Sequence, residues 1–307
     1  MQKRFGRIGV FLGGTSKERA ISLKSGNAVY QALKNSGQQV VLLDPANGFK
    51  SELKKKPIDV AFLALHGIGG EDGQIQSILD HFNIPYTGSG PKASKFAFNK
   101  EKAKHLLVTK NIPTPEYDIL TKRNVRRIVQ KWRTPYVVKP IKEGSSIGIF
   151  FVETKKNVEE RLKKALQKYD RLLIERKIEG REFTVGILGK KALPVIELRP
   201  KRKFYDFKAK YTKGLTDYLI PAPISPSLAG KIQKIALQAH CALHLTSMSR
   251  VDFMLDQDQR PYVLELNSIP GFTETSLLPK AAKQAGLDFE HLCLYLLEQA
   301  LNNKDKV

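Results

Sequence analysis

The chain has 307 residues, 41% hydrophobic and 27% charged, an ordinary globular balance with room for two or three domains and a sizeable core. Its 52 lysines and arginines against 30 aspartates and glutamates give a net charge of +22. No zinc spacing, aromatic RNA-binding signature or basic region with heptads accompanies that excess, which argues against a nucleic-acid-binding module. The longest apolar runs, residues 40–43 and 60–65, are strand length rather than membrane length. No apolar signal-like core follows the first seven residues. Cys241 and Cys293 each sit in an apolar, helix-like stretch, so buried thiols are expected rather than a disulfide, and a cytoplasmic location with them.

Residues 7–12 are apolar and β-prone and end in the turn Gly13-Gly14-Thr15-Ser16. A helix is expected from there through Leu33, with Ile21, Ala28, Val29, Ala32 and Leu33 as its apolar positions. Strands over 39–43 and 60–65 follow, the second ending at His66-Gly67. A helix over 74–81 and a short Tyr86-Thr87-Gly88 segment come next. Short apolar strands separated by helices indicate a parallel sheet with ligand loops at the strands' carboxyl ends. Gly88-Ser89-Gly90-Pro91 reads as a linker, so a first domain is expected over residues 1–90.

A helix-rich stretch over 92–111 is broken by Pro113 and Pro115. Strands over 136–139, 147–152 and 171–175 flank a helix over 158–168. Strands over 183–188, 192–197 and 250–266 supply a second antiparallel set, and residues 228–243 and 292–301 read as amphipathic helices. Much of the positive charge lies in the middle: residues 92–178 hold 23 Lys or Arg against 9 Asp or Glu, largely on helix-like segments whose charges form a solvated face.

The segment from Ser249 to Asn267 folds naturally about its polar centre. With a four-residue loop at 257–260, Asp256 pairs with Pro261 and Leu255 with Tyr262. Continuing the ladder, Asp252 faces Glu265 and Arg250 faces Asn267. Side chains alternate with period two, so Arg250, Asp252, Glu265 and Asn267 share one face. Val251, Phe253, Leu255, Tyr262, Leu264 and Leu266 share the other. Two carboxylates and an amide oxygen form the hard, all-oxygen set that magnesium uses when it also binds phosphate. Like charges opposed across a sheet repel, which favours a cation between them. The competing reading is an exposed hairpin with incidental acids. Ser268-Ile269-Pro270-Gly271-Phe272-Thr273 follows, a turn suited to presenting a backbone N–H to a developing oxyanion.

Tyr136-Val137-Val138-Lys139-Pro140 places a lysine at the end of an apolar strand, where it needs an anion such as a nucleotide phosphate. Residues 142–148, Lys-Glu-Gly-Ser-Ser-Ile-Gly, form a small-residue loop able to fold backbone N–H groups over phosphates. The loop lacks the Walker spacing and its following helix.

Together these residues resemble the D-alanine–D-alanine ligases of the ATP-grasp superfamily, over nearly the whole chain. The matching motifs run in order over residues 13–19, 66–73, 85–90, 138–146, 174–184, 204–211, 250–253 and 264–267. The resemblance implies an α/β fold: an N-terminal Rossmann-like parallel-sheet domain over 1–90, then a two-subdomain ATP-grasp fold over 91–178 and 179–307. It implies ATP-dependent joining of two D-alanines through a D-alanyl phosphate, for peptidoglycan precursor synthesis, by a homodimer with no nucleic acid or membrane as partner.

Carried over position by position, Lys100 and Lys139 match the lysines on the nucleotide's phosphates. Glu175 and the backbone of Ile178 match the adenine contacts, Glu182 the ribose contact, and Lys210 a residue near the γ-phosphate. Asp252, Glu265 and Asn267 match the ligands of two magnesium ions, for which manganese can substitute. Glu18 is similar to the anchor for the first D-alanine's ammonium, and His66 to a substrate-side histidine. Arg250 and the N–H of Gly271 resemble the oxyanion donors, and Ser276-Leu277 the clamp on the second carboxylate. Ser145 and Tyr211 match a hydrogen-bonded link to Glu18. Tyrosine at 211 goes with an amine nucleophile in the family, phenylalanine with D-lactate, so the dipeptide D-alanyl-D-alanine is expected.

Ala20, Asn99 and Lys208 stand where the family commonly has acids, and Ile269 and Phe272 alter the usual turn. None removes an inferred ligand. The rival readings are an ATP-grasp ligase for another amino or hydroxy acid pair, a basic nucleic-acid-binding protein, and an inactive paralogue.

Overall fold

A computed structural model of the chain describes residues 5–55, 57–202, 209, 212 and 214–303. The first sheet is parallel, with strand β1 (Arg7–Phe11) between β2 (Gln39–Leu43) and β3 (Val60–Leu63). Helix α1 (Arg19–Asn35) connects β1 to β2, and α2 (Phe49–Lys55) connects β2 to β3. The second helix was not legible in a lysine-rich stretch of weak apolar period. Ile8, Val10, Val60 and Phe62 are fully buried, as expected where helices cover both faces of a parallel sheet.

Helix α3 (Gln74–His81) leads to the expected linker over 88–91, which is a clamped strap. Ser89 Oγ accepts from the N–H of Thr246 at 2.9 Å and donates to its carbonyl at 3.1 Å, while Thr246 Oγ1 donates to the Gly88 carbonyl at 3.2 Å. Pro91 then opens α4 (Pro91–Phe98), where its missing N–H costs nothing. Asn99 caps α5 (Lys100–Thr109), its side chain accepting from Lys102 N–H at 3.2 Å. The residue that departs from the family's acid thus still performs an N-cap.

A four-stranded sheet follows, in the order β4 (Tyr117–Leu120), β7 (Leu172–Arg176), β5 (Tyr136–Pro140), β6 (Phe150–Val152). Helices α6 (Val125–Lys131) and α7 (Val158–Lys168) cover one face through Val125, Ile128, Val158, Leu162 and Leu166. The opposite face carries Val137, Lys139 and Glu175, and bounds a cavity.

The third sheet runs β11 (Thr216–Leu219), β10 (Ile196–Pro200), β8 (Gly180–Leu188), β12 (Met248–Asp256), β13 (Pro261–Asn267), with β9 (Lys191–Ala192) paired on β8. Pro194 falls between β9 and β10, where the sequence pattern predicts one strand over 192–197. Helix α8 (Pro226–Ala242), capped by Ser225 Oγ on the N–H of Leu228 at 3.3 Å, packs on one face of this sheet. Helices α9 (Leu277–Gln284) and α10 (Phe289–Asn303) instead join the core of the first sheet, through Leu278, Ala281, Leu292, Leu296 and Leu297. Both cysteines are free. Cys293 is buried, but Cys241 is exposed, because it lies on the outer side of α8.

The hairpin β12–β13 holds two of the expected pairs, Arg250 with Asn267 and Asp252 with Glu265. Beyond them the register shifts: Phe253 pairs with Val263, Met254 with Tyr262 and Leu255 with Pro261. Leu264 is an extra residue opposite the Asp252–Phe253 step, a β-bulge. The loop is therefore three residues long, closed by Asp256 N–H on the Arg260 carbonyl at 3.1 Å, with Gln259 left-handed at φ +58°. The bulge corrects the expected apolar face. Pro261 and Val263 are buried, whereas Tyr262 and Leu264 turn to the polar side.

Candidate active site

Two cavities meet at the hairpin, and Glu265 lines both. The first, about 320 Å³, gathers Glu18, His66, Lys100, Ser145, Arg250, Asn267, Gly271, Ser276 and Leu277. The second, about 510 Å³, gathers Lys139, Glu175, Ile178, Glu182 and Asp252. Every proposed site residue thus lines one cavity or the other, except Lys210 and Tyr211, which lie, with Lys208, outside the described residues.

Glu18 caps α1 by position only, without a side-chain cap. It lines the first cavity instead, and the residue is 6% exposed. The Ser145 hydroxyl donates to Glu18 Oε1. A Cβ on Gly144 would lie 2.6 Å from Glu18 Oε2 and one on Gly67 would lie 2.9 Å from it, so both loops reach the carboxylate because they carry glycine there. Ser145 and Ser146 hold left-handed backbone at φ +49° and +61°, strain that costs of order 1 kcal/mol per residue. The loop's docking offsets it: Lys17 pairs with Glu143, and Lys100 Nζ donates to the Glu143 carbonyl at 2.7 Å.

A second carboxyl, Glu71, lies on the other side of Gly67, accepting that residue's N–H at 2.7 Å. Burial first, then the negative charge of Glu18, pushes Glu71 up to about 8. Of the two acids around this glycine, Glu71 is thus the one that keeps its proton. Sequence reasoning missed Glu71, although it stands inside the 66–73 motif. Only the through-space approach of Glu18 gives it a role.

His66 is buried, and burial lowers it to about 4. It is a neutral imidazole at physiological pH. Its backbone N–H donates to Ser22 Oγ at 2.9 Å, and its carbonyl accepts from Ser16 Oγ at 2.6 Å. On the far side, Ser276 Oγ accepts from Thr273 N–H at 3.1 Å and precedes α9. The first N–H groups of that helix, beginning at Leu277, have no intrahelical acceptor and suit a carboxylate.

In the second cavity Lys139 meets an anion, as its burial demands, and the anion is Glu175. Lys104, absent from the sequence reading, approaches the other oxygen of Glu175 at 2.8 Å and donates to Thr114 Oγ1 at 2.6 Å. Burial and the charge of Lys139 lower Lys104 to about 8 against the pull of Glu175. Burial works against ionising Glu175, but the two ammonium groups hold it below the ordinary carboxylate range.

On the hairpin Arg250 grips Asp252 with two hydrogen bonds, Nε to Oδ1 at 2.9 Å and Nη2 to Oδ2 at 2.8 Å. Thr184 Oγ1 donates to the same Asp252 Oδ1 at 2.6 Å. Lys100 Nζ lies 3.5 Å from Glu265 Oε2, and Asn267 Oδ1 accepts from Ile269 N–H at 3.2 Å. Among the described residues no cluster of three or more His, Cys, Asp or Glu side chains is placed to hold a metal. The hairpin offers two opposed carboxylates and an amide, a donor set that suits a hard cation sharing its shell with phosphate oxygens.

The family model for the D-ala D-ala ligase N-terminus matches residues 43–89, and that for the C-terminus matches 106–298. A D-alanine–D-alanine ligase of Carboxydothermus hydrogenoformans is 43% identical over 98% of this chain and 100% of its own. One from Pseudoalteromonas translucida is 41% identical over 98% and 99%. Among solved structures, a D-alanine–D-alanine ligase of Bacillus anthracis superposes with a TM-score of 0.88 at 34% identity, covering 98% of this chain and 99% of that one. A D-alanine–D-alanine ligase of Bacillus anthracis complexed with ATP gives 0.85 at 31% identity, covering 98% of this chain and 99% of that one. The parallel first sheet and the two antiparallel sheets are those of that fold, and the chain belongs to the D-alanine–D-alanine ligase family.

Proposed function

We infer that the protein joins two D-alanines to D-alanyl-D-alanine at the expense of ATP. The observation that carries this reading is the shared wall at Glu265: a nucleotide-sized cavity and a substrate-sized cavity meet on one polar hairpin face. In the second cavity the adenine would rest between the Glu175 carboxylate and the Ile178 backbone, beside Leu264 and Met254, with Glu182 on the ribose. Lys100 and Lys139 would take the phosphates, joined by Lys210. Asp252, Glu265 and Asn267 would hold two magnesium ions, which supply charge neutralisation to the phosphates.

In the first cavity Glu18 would bind the ammonium of one D-alanine and aim its carboxylate at the γ-phosphate. Transfer gives a D-alanyl phosphate and ADP. The amine of the second D-alanine, held through its carboxylate by Ser276 and the N–H of Leu277, attacks the acyl carbon and phosphate leaves. Arg250 and the N–H of Gly271 would stabilise the oxyanion formed in that attack. Ser145, with Tyr211, would keep Glu18 aimed. Positioning supplies most of the acceleration.

The three-part division at residues 90 and 178 belongs to the same proposal. So does a homodimer through the N-terminal domain, for which the edge strand β2 offers Leu42, 41% exposed. A cytoplasmic location fits two free thiols, one of them exposed. Among the described residues no helix is long and apolar enough to cross a membrane. The test is phosphate release with D-alanine, D-lactate, D-serine and L-alanine. D-alanine alone is expected to support rapid turnover, and equal turnover with L-alanine contradicts the assignment.

A further inference from the structure

The turn 268–272 is held from the opposite side of the first cavity by a network through Ser25 and His66. The Phe272 N–H donates to Ser25 Oγ at 3.2 Å. Ser25 Oγ lies 3.1 Å from His66 Nε2. The Ile269 backbone faces the imidazole and raises its affinity for a proton, and there only a carbonyl is left to accept, because the Ile269 N–H donates to Asn267 Oδ1. One proton arrangement satisfies every member, and the network assigns it. His66 donates to the Ile269 carbonyl and accepts at Nε2. The Ser25 hydroxyl donates to Nε2 and accepts from Phe272. The network therefore enters the turn at Ile269 and leaves it at Phe272, with Pro270 and Gly271 between.

Each member is fixed. Ser25 is 1% exposed and Phe272 0%. The Phe272 ring stands edge-on to Phe62 of the first sheet at 5.2 Å, so the turn cannot follow the hairpin away from α1 without losing packing. Ser25 projects from α1, two turns beyond Glu18, and lines the same cavity. One helix of the N-terminal sheet layer thus presents both the carboxylate read as the ammonium anchor and the hydroxyl that ties down the turn.

We propose that Ser25 is a positioning residue for ligation: through His66 and the N–H of Phe272 it sets where the N–H of Gly271 points. This rests on the reading of Gly271 as an oxyanion donor. It also gives His66 a different task from direct substrate contact, since both ring nitrogens are engaged by the protein. A buried serine on an apolar helix carries no sequence signature for this, and neither Ser25 nor the network was legible before the turn and α1 were brought together.

The test compares Ser25→Ala, Ser25→Thr, His66→Ala and the Ser25→Ala/His66→Ala double variant. A misplacement of about 1 Å costs on the order of 100-fold in rate. Ser25→Ala is therefore expected to lower kcat for dipeptide formation by roughly that factor, with KM for ATP unchanged and the far-UV spectrum native. The double variant is expected to be no slower than the slower single one, because both break one network. Ser25→Thr keeps the hydroxyl and is expected to recover most of the loss. If Ser25→Ala does not fold, the Ser25→Thr and His66→Ala rates carry the test, with a native-like rate for the first and a deep loss for the second expected. A kcat for Ser25→Ala within twofold of the parent, or losses that multiply in the double variant, overturns the proposal. Failure of the ligase reading itself looks different: the parent protein then shows no D-alanine-dependent phosphate release at all.

Discussion

Glu71 and the two buried histidines titrate in opposite senses. In the unfolded chain Glu71 ionises near 4.5, but in the fold it keeps its proton to about 8. Stability therefore falls as pH rises across that window, because the unfolded chain releases a proton that the native one retains. His66 and His240 behave oppositely: burial lowers each from 6.5 to about 4, so stability falls as pH drops through that range. Two histidines outweigh one acid below 6.5, and thermal melts are expected to show maximal stability near pH 6–7. Glu71→Gln keeps the acceptor for Gly67 and removes the ionisation. It is expected to raise Tm by about 2–5 °C at pH 8 and by nothing at pH 5. An equal shift at both pH values would show that the carboxyl is not held neutral. These residues carried no signal in the chain itself. Glu71 looked like one acid among several in a glycine-rich motif, and its proton depends on Glu18, fifty-three positions earlier in sequence and adjacent in space.

At the scale of elements, the hairpin was the most legible part. The pairs Arg250–Asn267 and Asp252–Glu265 follow from alternation alone, because slipping by one residue would bury the carboxylates. The bulge was not legible: Leu264 and Val263 are both apolar, and either fits a core face by composition. The consequence is functional, since Leu264 reaches the second cavity, beside Met254, instead of the core. Leu264→Ala is expected to raise KM for ATP by roughly 5–20-fold, the loss of about 1–2 kcal/mol of apolar contact, with little change in Tm. Deleting Leu264 removes the bulge but keeps Phe253 opposite Val263 and Leu255 opposite Pro261, so the apolar face survives. It is expected to leave the thermal melt cooperative while raising KM for ATP at least as much as the truncation does. The short helices α2 and α6 and the strand β11 escaped the sequence reading because lysine- and arginine-rich or polar stretches leave little apolar period.

At the scale of the molecule, the chain is arranged so that its last two helices complete the core of its first sheet. That closure brings Glu18 and His66 opposite Gly271 and Ser276. The order of strands and helices foretold a parallel sheet and later antiparallel ones, but not that residues near 280–300 would return to residues near 10–60, because long-range packing leaves no local pattern. Part of the +22 charge lies on α6 and α7, whose charged side chains line neither cavity. Chelation with EDTA is expected to abolish ATP turnover while leaving the melt unchanged, and magnesium in excess to restore it. Asp252→Ala and Glu265→Ala are each expected to lower turnover at least 100-fold, on the scale of losing one electrostatic stabiliser. The most direct measurement of the central claim supplies the parent protein with ATP, magnesium and D-alanine, and quantifies ADP and dipeptide together. One D-alanyl-D-alanine per ADP is the predicted result, and ADP release that does not depend on D-alanine, or that proceeds equally with L-alanine, would contradict it.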